Sequence, residues 1–110
     1  MHGATYEELK RVAKEQSYTT YRKIAPLADL DMVSQADRDR IADILDEIST
    51  HEHNLGHPLL SAVVVRADEG KPGQGFFTLA RRLGLYQGGD DLKFWLDEIK
   101  RVHAHWSEAT

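Results

Sequence analysis

The residues most suited to chemistry are acidic and imidazole side chains that helical periodicity turns inward. Glu52 follows Ile48 by four positions and Ile41 by eleven, which places its carboxyl group on the apolar face of a predicted helix. His103 occupies the same kind of position in the last predicted helix, four residues after Ile99. Burying an unpaired charge costs several kcal/mol. We therefore expect Glu52 and His103 to pair with each other or to reach the surface near the helix ends.

Two interpretations of this glutamate follow from its position. In the first, Glu52 and His103 form a structural polar pair at the rim of the core. In the second, Glu52 is a general base or a ligand-binding group, with His57, Ser61 or His103 as a donor or second acid. No Gly-x-Ser-x-Gly elbow surrounds Ser61, which argues against a hydrolase nucleophile. The candidate catalytic residues are thus Glu52, His57, Ser61 and His103, and enzymatic activity stays an open question.

Six histidines also raise the question of a metal site. His51 and His53 point about 200° apart on a helix, so the two rings diverge. His53 and His57 have i, i+4 spacing, but Gly56 and Pro58 interrupt the helix there. The chain has no cysteine, which excludes disulfides, thiolate-bound metals and thiolate nucleophiles. We predict neither a metal site nor a cofactor.

A loop rich in glycine and proline, residues 71–75, precedes a predicted helix. Free N–H groups at such a site attract anions, although the loop matches no phosphate-binding fingerprint and a plain turn also explains it. Basic and polar residues near this loop and in the second helix are the candidate binding residues: Arg22, Lys23, Arg66, Lys71 and Gln74.

Three helices are predicted in the first half of the chain. Thr5 and Glu8 have the spacing of a capping box at the start of the first helix. Thr20 precedes a short second helix that Pro26 ends or bends. Ser34 is predicted to begin the third helix and Gly56 to stop it. This helix covers residues 35–53, because its apolar residues recur with helical spacing.

The second half of the chain is predicted to contain a strand, a loop and two helices. A run rich in β-branched residues at 59–66 predicts the strand. A helix follows the glycine-rich loop and stops at Gly84, and Asp90 or Asp91 begins the last helix. The apolar stripe of this last helix comprises Leu92, Trp95, Leu96, Ile99, Val102, His103 and Trp106.

The composition is that of one ordinary globular domain. The chain has 110 residues, of which 41% are hydrophobic and 29% are charged, enough for one core and too few for two. It contains no apolar run near the roughly 20 residues that span a bilayer. We expect residues 1–110 to form a cytoplasmic, single-domain α+β protein, mostly helical and winged-helix-like in its order of elements, with one short strand or hairpin.

The net charge of −4 is concentrated in and around helix 35–53, whose outer face carries carboxylates. The leading hypothesis is an interaction or regulatory module that binds another protein, through this acidic face and the loop around Lys71. A plain solvated face would explain the same acidic residues. The helix would repel phosphates, which disfavours the alternative of a nucleic-acid binder. A homodimer through the last helix would follow if Trp95 or Trp106 were exposed.

The chain shows two resemblances, of which the first spans most of its length. Residues 52–65, which include His-Pro-Leu-Leu-Ser-Ala-Val-Val-Val, followed by Pro-Gly-Gln-Gly-Phe-Phe at 72–77, resemble a pattern of short bacterial proteins of uncharacterised function. This resemblance implies no activity.

The stretch 20–25, Thr-Tyr-Arg-Lys-Ile-Ala, resembles the Thr-Tyr-Gly-x-Ile-Ala helix start in the winged-helix domain of alkyltransferase-like DNA-repair proteins. His57-Pro58 and the valines at 63–65 are more loosely similar to the Pro-x-His-Arg-Val-Val strand entry of that domain. Arg22 replaces the glycine, and the lack of cysteine excludes alkyl acceptance. The resemblance implies a helix-rich fold with a wing-like hairpin.

Overall fold

The computed structural model describes residues 1–108 and confirms a mostly helical α+β architecture. In chain order the elements are α1 (Gly3–Lys14), β1 (Thr19–Thr20), α2 (Tyr21–Ile24), a 3₁₀ turn (Ala25–Ala28), α3 (Gln35–Asn54), a second 3₁₀ turn (Leu60–Val63), β2 (Val64–Val65), α4 (Gln74–Arg82) and α5 (Asp91–Glu108). The buried apolar residues of these elements form one core cluster.

The predicted strand over 59–66 is mostly wrong. Only Val64 and Val65 are extended and paired, with Thr19 and Thr20 as their partners in a two-stranded parallel sheet. The two strands come from distant parts of the chain, so they do not form a hairpin.

The reason lies in residues 59–65, which we call the central segment and which are buried without interruption. A buried backbone must find hydrogen-bond partners. The Ser49 hydroxyl of α3 accepts the N–H of Ser61 at 3.0 Å, and the Trp95 indole of α5 donates to the carbonyl of Ala62 at 2.9 Å. Side chains thus take the place of neighbouring strands, and the β-branched run needs no wider sheet.

A buried glutamate of α5 completes this support. Glu98 accepts the backbone N–H of Leu59 at 2.7 Å, and its second oxygen accepts from Arg101 at 2.5 Å. Leu92 and Leu96, which the apolar stripe placed in the core, are exposed instead. Glu98 is thus buried on the inner face of α5, where its hydrogen bond to Leu59 satisfies one carboxylate oxygen.

Helix starts follow local hydrogen bonds. The capping box predicted at Thr5 is wrong, because the His2 imidazole caps α1 by accepting the N–H of Thr5 at 3.3 Å, and Thr5 is buried inside the helix. Ser34 does cap α3, and its hydroxyl accepts the N–H of Asp37 at 3.3 Å. Asp90 plays the same role for α5, since its side chain accepts the N–H of Lys93 at 3.0 Å.

Both tryptophans of α5 are buried. The condition that would have indicated a homodimer through this helix is therefore not met. Within residues 1–108, no helix is both long enough and apolar enough to cross a bilayer.

Candidate functional site

Glu52 is completely buried, as its place on the apolar face of α3 predicted. One carboxyl oxygen accepts the Tyr6 hydroxyl hydrogen at 2.7 Å, and the other accepts the Nδ1–H of His57 at 3.1 Å. The ring of His51 lies 3.9 Å from the first oxygen. The partners of this buried acid come from α1 and from the turn that follows α3.

The expected pair between Glu52 and His103 is not formed. The His103 Nε2–H donates to the carbonyl of Ser17 at 3.0 Å, and its ring packs edge-on against Tyr18 with 5.4 Å between centroids. His103 therefore links α5 to the turn after α1. The prediction failed because Tyr6 and His57 already satisfy the glutamate.

A glycine explains how His57 reaches back to Glu52. Gly56 has a φ of +79°, and it ends α3 in a Schellman motif. The Gly56 N–H donates to the carbonyl of His53 at 3.0 Å, and the His57 N–H donates to the carbonyl of Glu52 at 2.9 Å. In most Schellman motifs, the residues in the positions of Glu52 and His57 make an apolar contact. Here a hydrogen bond between side chains replaces it.

The same arrangement perturbs Tyr6. Burial, the hydrogen bond to Glu52 and the negative charge of that group together raise the pKa of Tyr6 from 10.0 to about 12. The Tyr6 hydroxyl thus stays protonated and donates a hydrogen bond to Glu52 across the physiological pH range.

We call Glu52 with its partners Tyr6 and His57 the Glu52 network. Through His57 this network contacts a cluster of aromatic rings. The His57 and His105 rings lie 4.3 Å apart, and both contact Trp106 edge-on. Within residues 1–108, no group of three or more His, Asp or Glu side chains is arranged to hold a metal ion. Glu52, its hydrogen-bond partners and these rings thus connect α1, α3 and α5.

The second feature is an open cleft of about 870 Å³ between α2, α3 and the loop that leads to α4. Its volume lies in the range of ligand sites, roughly 300–1,000 Å³. The walls are part apolar and part charged, and they comprise Thr20, Tyr21, Arg22, Met32, Arg38, Ile41, Ala42, Leu45, Asp46, Ser61, Arg66, Ala67, Asp68, Gly73, Gly75 and Phe76.

Both acids that line the cleft already have cationic partners. Arg66 forms two 3.2 Å hydrogen bonds with Asp68, and these bonds hold the pKa of Asp68 below its usual range. The Asp46 carboxylate lies 3.6 Å from Arg82 of α4. The lining acids therefore leave little free negative charge in the cleft.

Two arginines that line the cleft, Arg22 and Arg38, have no carboxylate partner among the described residues. Arg38 donates to the carbonyls of Met32 and Val33 at 2.8 and 3.1 Å and to Gln35 Oε1 at 2.8 Å, and none of these acceptors carries a charge. Neither Arg38 nor Arg22 forms an ion pair with any carboxylate in residues 1–108. The cleft therefore presents a net positive surface between apolar walls.

Ser61 lies on the inner wall of this cleft and is only 5% exposed. Its hydroxyl oxygen is 2.7 Å from that of Ser49, the residue that also accepts the Ser61 N–H. The catalytic candidates are thus divided, with Glu52 and His57 in the network, Ser61 in the cleft and His103 against Ser17.

The candidate binding residues are divided as well. Arg22 and Arg66 line the cleft. Lys71 lies outside its lining and faces Glu69 at 3.7 Å, and Lys23 and Gln74 are not part of the lining either.

Tyr21 and Arg38 were not among the predicted binding residues. No spacing rule connects these two positions, because the cleft forms only when α2, α3 and the loop pack together. A comparison of the chain with protein-family models, with curated proteins and with solved structures finds no match.

Proposed function

We propose that this protein is an interaction module that binds a peptide segment of another protein in the cleft. The observation that carries the proposal is the shape and charge of the cleft. The acidic helix 35–53 and the loop before α4 had been considered as separate contact surfaces, and they form two walls of one concave site. A concave, partly apolar site with a few convergent polar groups is the usual form of a ligand site.

A peptide fits this cleft better than a nucleic-acid backbone does. The apolar surface offered by Tyr21, Met32 and Ala42 suits a side chain, whereas a phosphate backbone needs a broad basic surface. The exposed face of α3 next to the cleft carries Asp39 and Asp43, which would repel phosphates. The two unpaired arginines, Arg22 and Arg38, match a single carboxylate but not the several negative charges of a phosphate backbone.

An enzyme centred on Glu52, Ser61 and His103 has less support. These residues have separate hydrogen-bond partners in separate parts of the fold. No serine or threonine hydroxyl contacts the Glu52–His57 pair within residues 1–108.

The proposal is tested by filling the cleft. Ala42 is exposed and lines the cleft, so Ala42→Trp places an indole in the site without disturbing the core. Ala36→Trp, on an exposed position of the same helix outside the lining, is the matched control. A phage-displayed library of random dodecapeptides is selected on the wild-type protein, and the enriched peptides are measured against both variants.

We expect the enriched peptides to bind Ala36→Trp as they bind the wild-type protein, and to bind Ala42→Trp at least tenfold more weakly. Failure to enrich any peptide, or equal binding to both variants, would contradict the proposal. Salt-sensitive binding of duplex DNA in place of peptides would favour the nucleic-acid alternative.

A further inference from the structure

The burial of Ser49 determines which hydroxyl donates in the hydrogen bond between Ser49 and Ser61. Ser49 is fully buried, and its hydroxyl oxygen accepts the N–H of Ser61. The only acceptor near the Ser49 hydroxyl hydrogen among residues 1–108 is the Ser61 oxygen at 2.7 Å. Ser49 must therefore donate to Ser61, because its hydrogen would otherwise be buried without a partner. The hydrogen of Ser61 has no acceptor within the described chain and is left for the cleft.

The Tyr21 hydroxyl also has a hydrogen without an acceptor in the described chain. Its oxygen accepts the N–H of Gly73 at 2.9 Å, and its own hydrogen has no acceptor among residues 1–108. Burial raises the pKa of Tyr21, so this hydroxyl keeps its hydrogen at neutral pH. The backbone of the loop thus holds a donor at the wall of the cleft, just as α3 does through Ser49.

The groups of the cleft that remain free to bind a ligand include two hydroxyl donors and two cations. The two hydroxyls donate, the guanidinium groups of Arg22 and Arg38 lack carboxylate partners, and both lining acids are already paired with arginines. A bound group that offers only acceptors and carries negative charge complements this set. The apolar walls beside it require an apolar neighbour in the ligand.

From this arrangement we infer that the occupant of the cleft is an acidic peptide, in which an aspartate or glutamate carboxylate accepts from Ser61 and Tyr21 and faces Arg22 and Arg38. An apolar side chain adjacent to the acid packs against Met32 and Ala42 in the same cleft. The inference rests on the proposed function, since it names the class of peptide that the module binds.

The test combines changes in the protein and in the peptide. Ser61→Ala and Tyr21→Phe each remove one hydroxyl and keep the rest of the side chain. Ser17→Ala and Tyr18→Phe are the matched controls, because both residues are exposed and lie outside the cleft lining. Each enriched dodecapeptide is synthesised with its acidic residues and, in parallel, with each acid changed to the corresponding amide, and binding is measured by fluorescence polarisation.

We expect the enriched peptides to contain Asp or Glu next to an apolar residue, and the amide forms to bind the wild-type protein at least tenfold more weakly. In Ser61→Ala and Tyr21→Phe, the acidic and amide forms should differ by less than in the wild-type protein, whereas both controls keep the full difference. Circular dichroism of each variant confirms that it is folded.

Two results would overturn this inference and leave the proposed function standing. One is that the enriched peptides are neutral or basic but still lose binding to Ala42→Trp. The other is that the preference for the acid is unchanged in Ser61→Ala and Tyr21→Phe. Absence of any peptide that depends on the cleft would instead overturn the proposed function, and the inference with it.

Discussion

At the scale of single residues, Glu52 shows how much a helical projection can establish. The projection placed Glu52 on the inner face of its helix, and the side chain is fully buried. Its partner could not be obtained in the same way. His57 reaches Glu52 only because Gly56 reverses the chain, and Tyr6 only because α1 packs against α3. A projection of α3 alone shows neither the chain reversal at Gly56 nor the packing of α1 against α3.

A double-mutant cycle distinguishes the two partner assignments. Residues in contact show coupling energies of about 0.5–3 kcal/mol, and residues with no shared partners are additive to within about 0.5 kcal/mol. We expect Glu52→Gln to couple with His57→Ala and to be additive with His103→Ala, as measured by urea unfolding. Coupling with His103→Ala in place of His57→Ala would contradict the structure.

Tyr6 predicts a dependence of stability on alkaline pH. Its pKa is higher in the folded protein than the ordinary 10.0 of an unfolded chain, so folding favours the protonated hydroxyl. That stabilisation is complete below pH 10 and is lost as the pH rises through about 12.

We therefore expect Tyr6→Phe to be less stable than the wild-type protein at pH 8, by about 1–3 kcal/mol for a hydrogen bond to a charged group. The difference should shrink as urea unfolding is repeated at rising pH above 10. Tyr18→Phe removes an exposed hydroxyl and serves as the control, with a small difference that does not change. A constant difference for Tyr6→Phe would contradict the assignment of its hydrogen bond.

At the scale of secondary structure, local signals predicted the helix ends better than the strand. Ser34, Gly56 and Gly84 mark helix ends as expected, because caps and left-handed glycines act within a few residues. The strand predicted at 59–66 is mostly wrong, since Leu60–Val63 form a 3₁₀ turn whose backbone is bound by side chains of α3 and α5. Glu98, on a distant helix, replaces the backbone partner that a sheet would have supplied.

Two glycines give opposite predictions for the same substitution. Gly56 is in the left-handed region, and a Cβ there would have no atom within 4 Å, so Gly56→Ala acts through backbone strain alone. We expect a loss of about 1–2 kcal/mol in the free energy of unfolding. Gly75 is in α4 without a positive φ and has equal space, so Gly75→Ala should stabilise the protein by up to about 1 kcal/mol. Urea unfolding of both variants checks the signs, and a stabilising Gly56→Ala would contradict the Schellman motif.

At the scale of the whole molecule, the cleft arises from elements that are far apart in the chain. The sequence indicated the acidic helix and the loop around Lys71 as contact surfaces, but not that they face each other across one cavity. The charge of a segment also proved a poor guide to the charge of the site. Helix α3 is acidic as a whole, yet Arg38 faces the cleft unpaired while Asp46 is paired with Arg82.

The most direct test of the cleft as a peptide site is a titration of ¹⁵N-labelled protein with an enriched acidic peptide, followed by the backbone amide chemical shifts. We expect the perturbed amides to cluster at residues 20–22, 38–46 and 66–76, which contain residues of the cleft walls. Amides of α5 and of the Glu52 network should stay unchanged. Perturbation centred on α5 or on Glu52, with the cleft residues unaffected, would contradict the central claim.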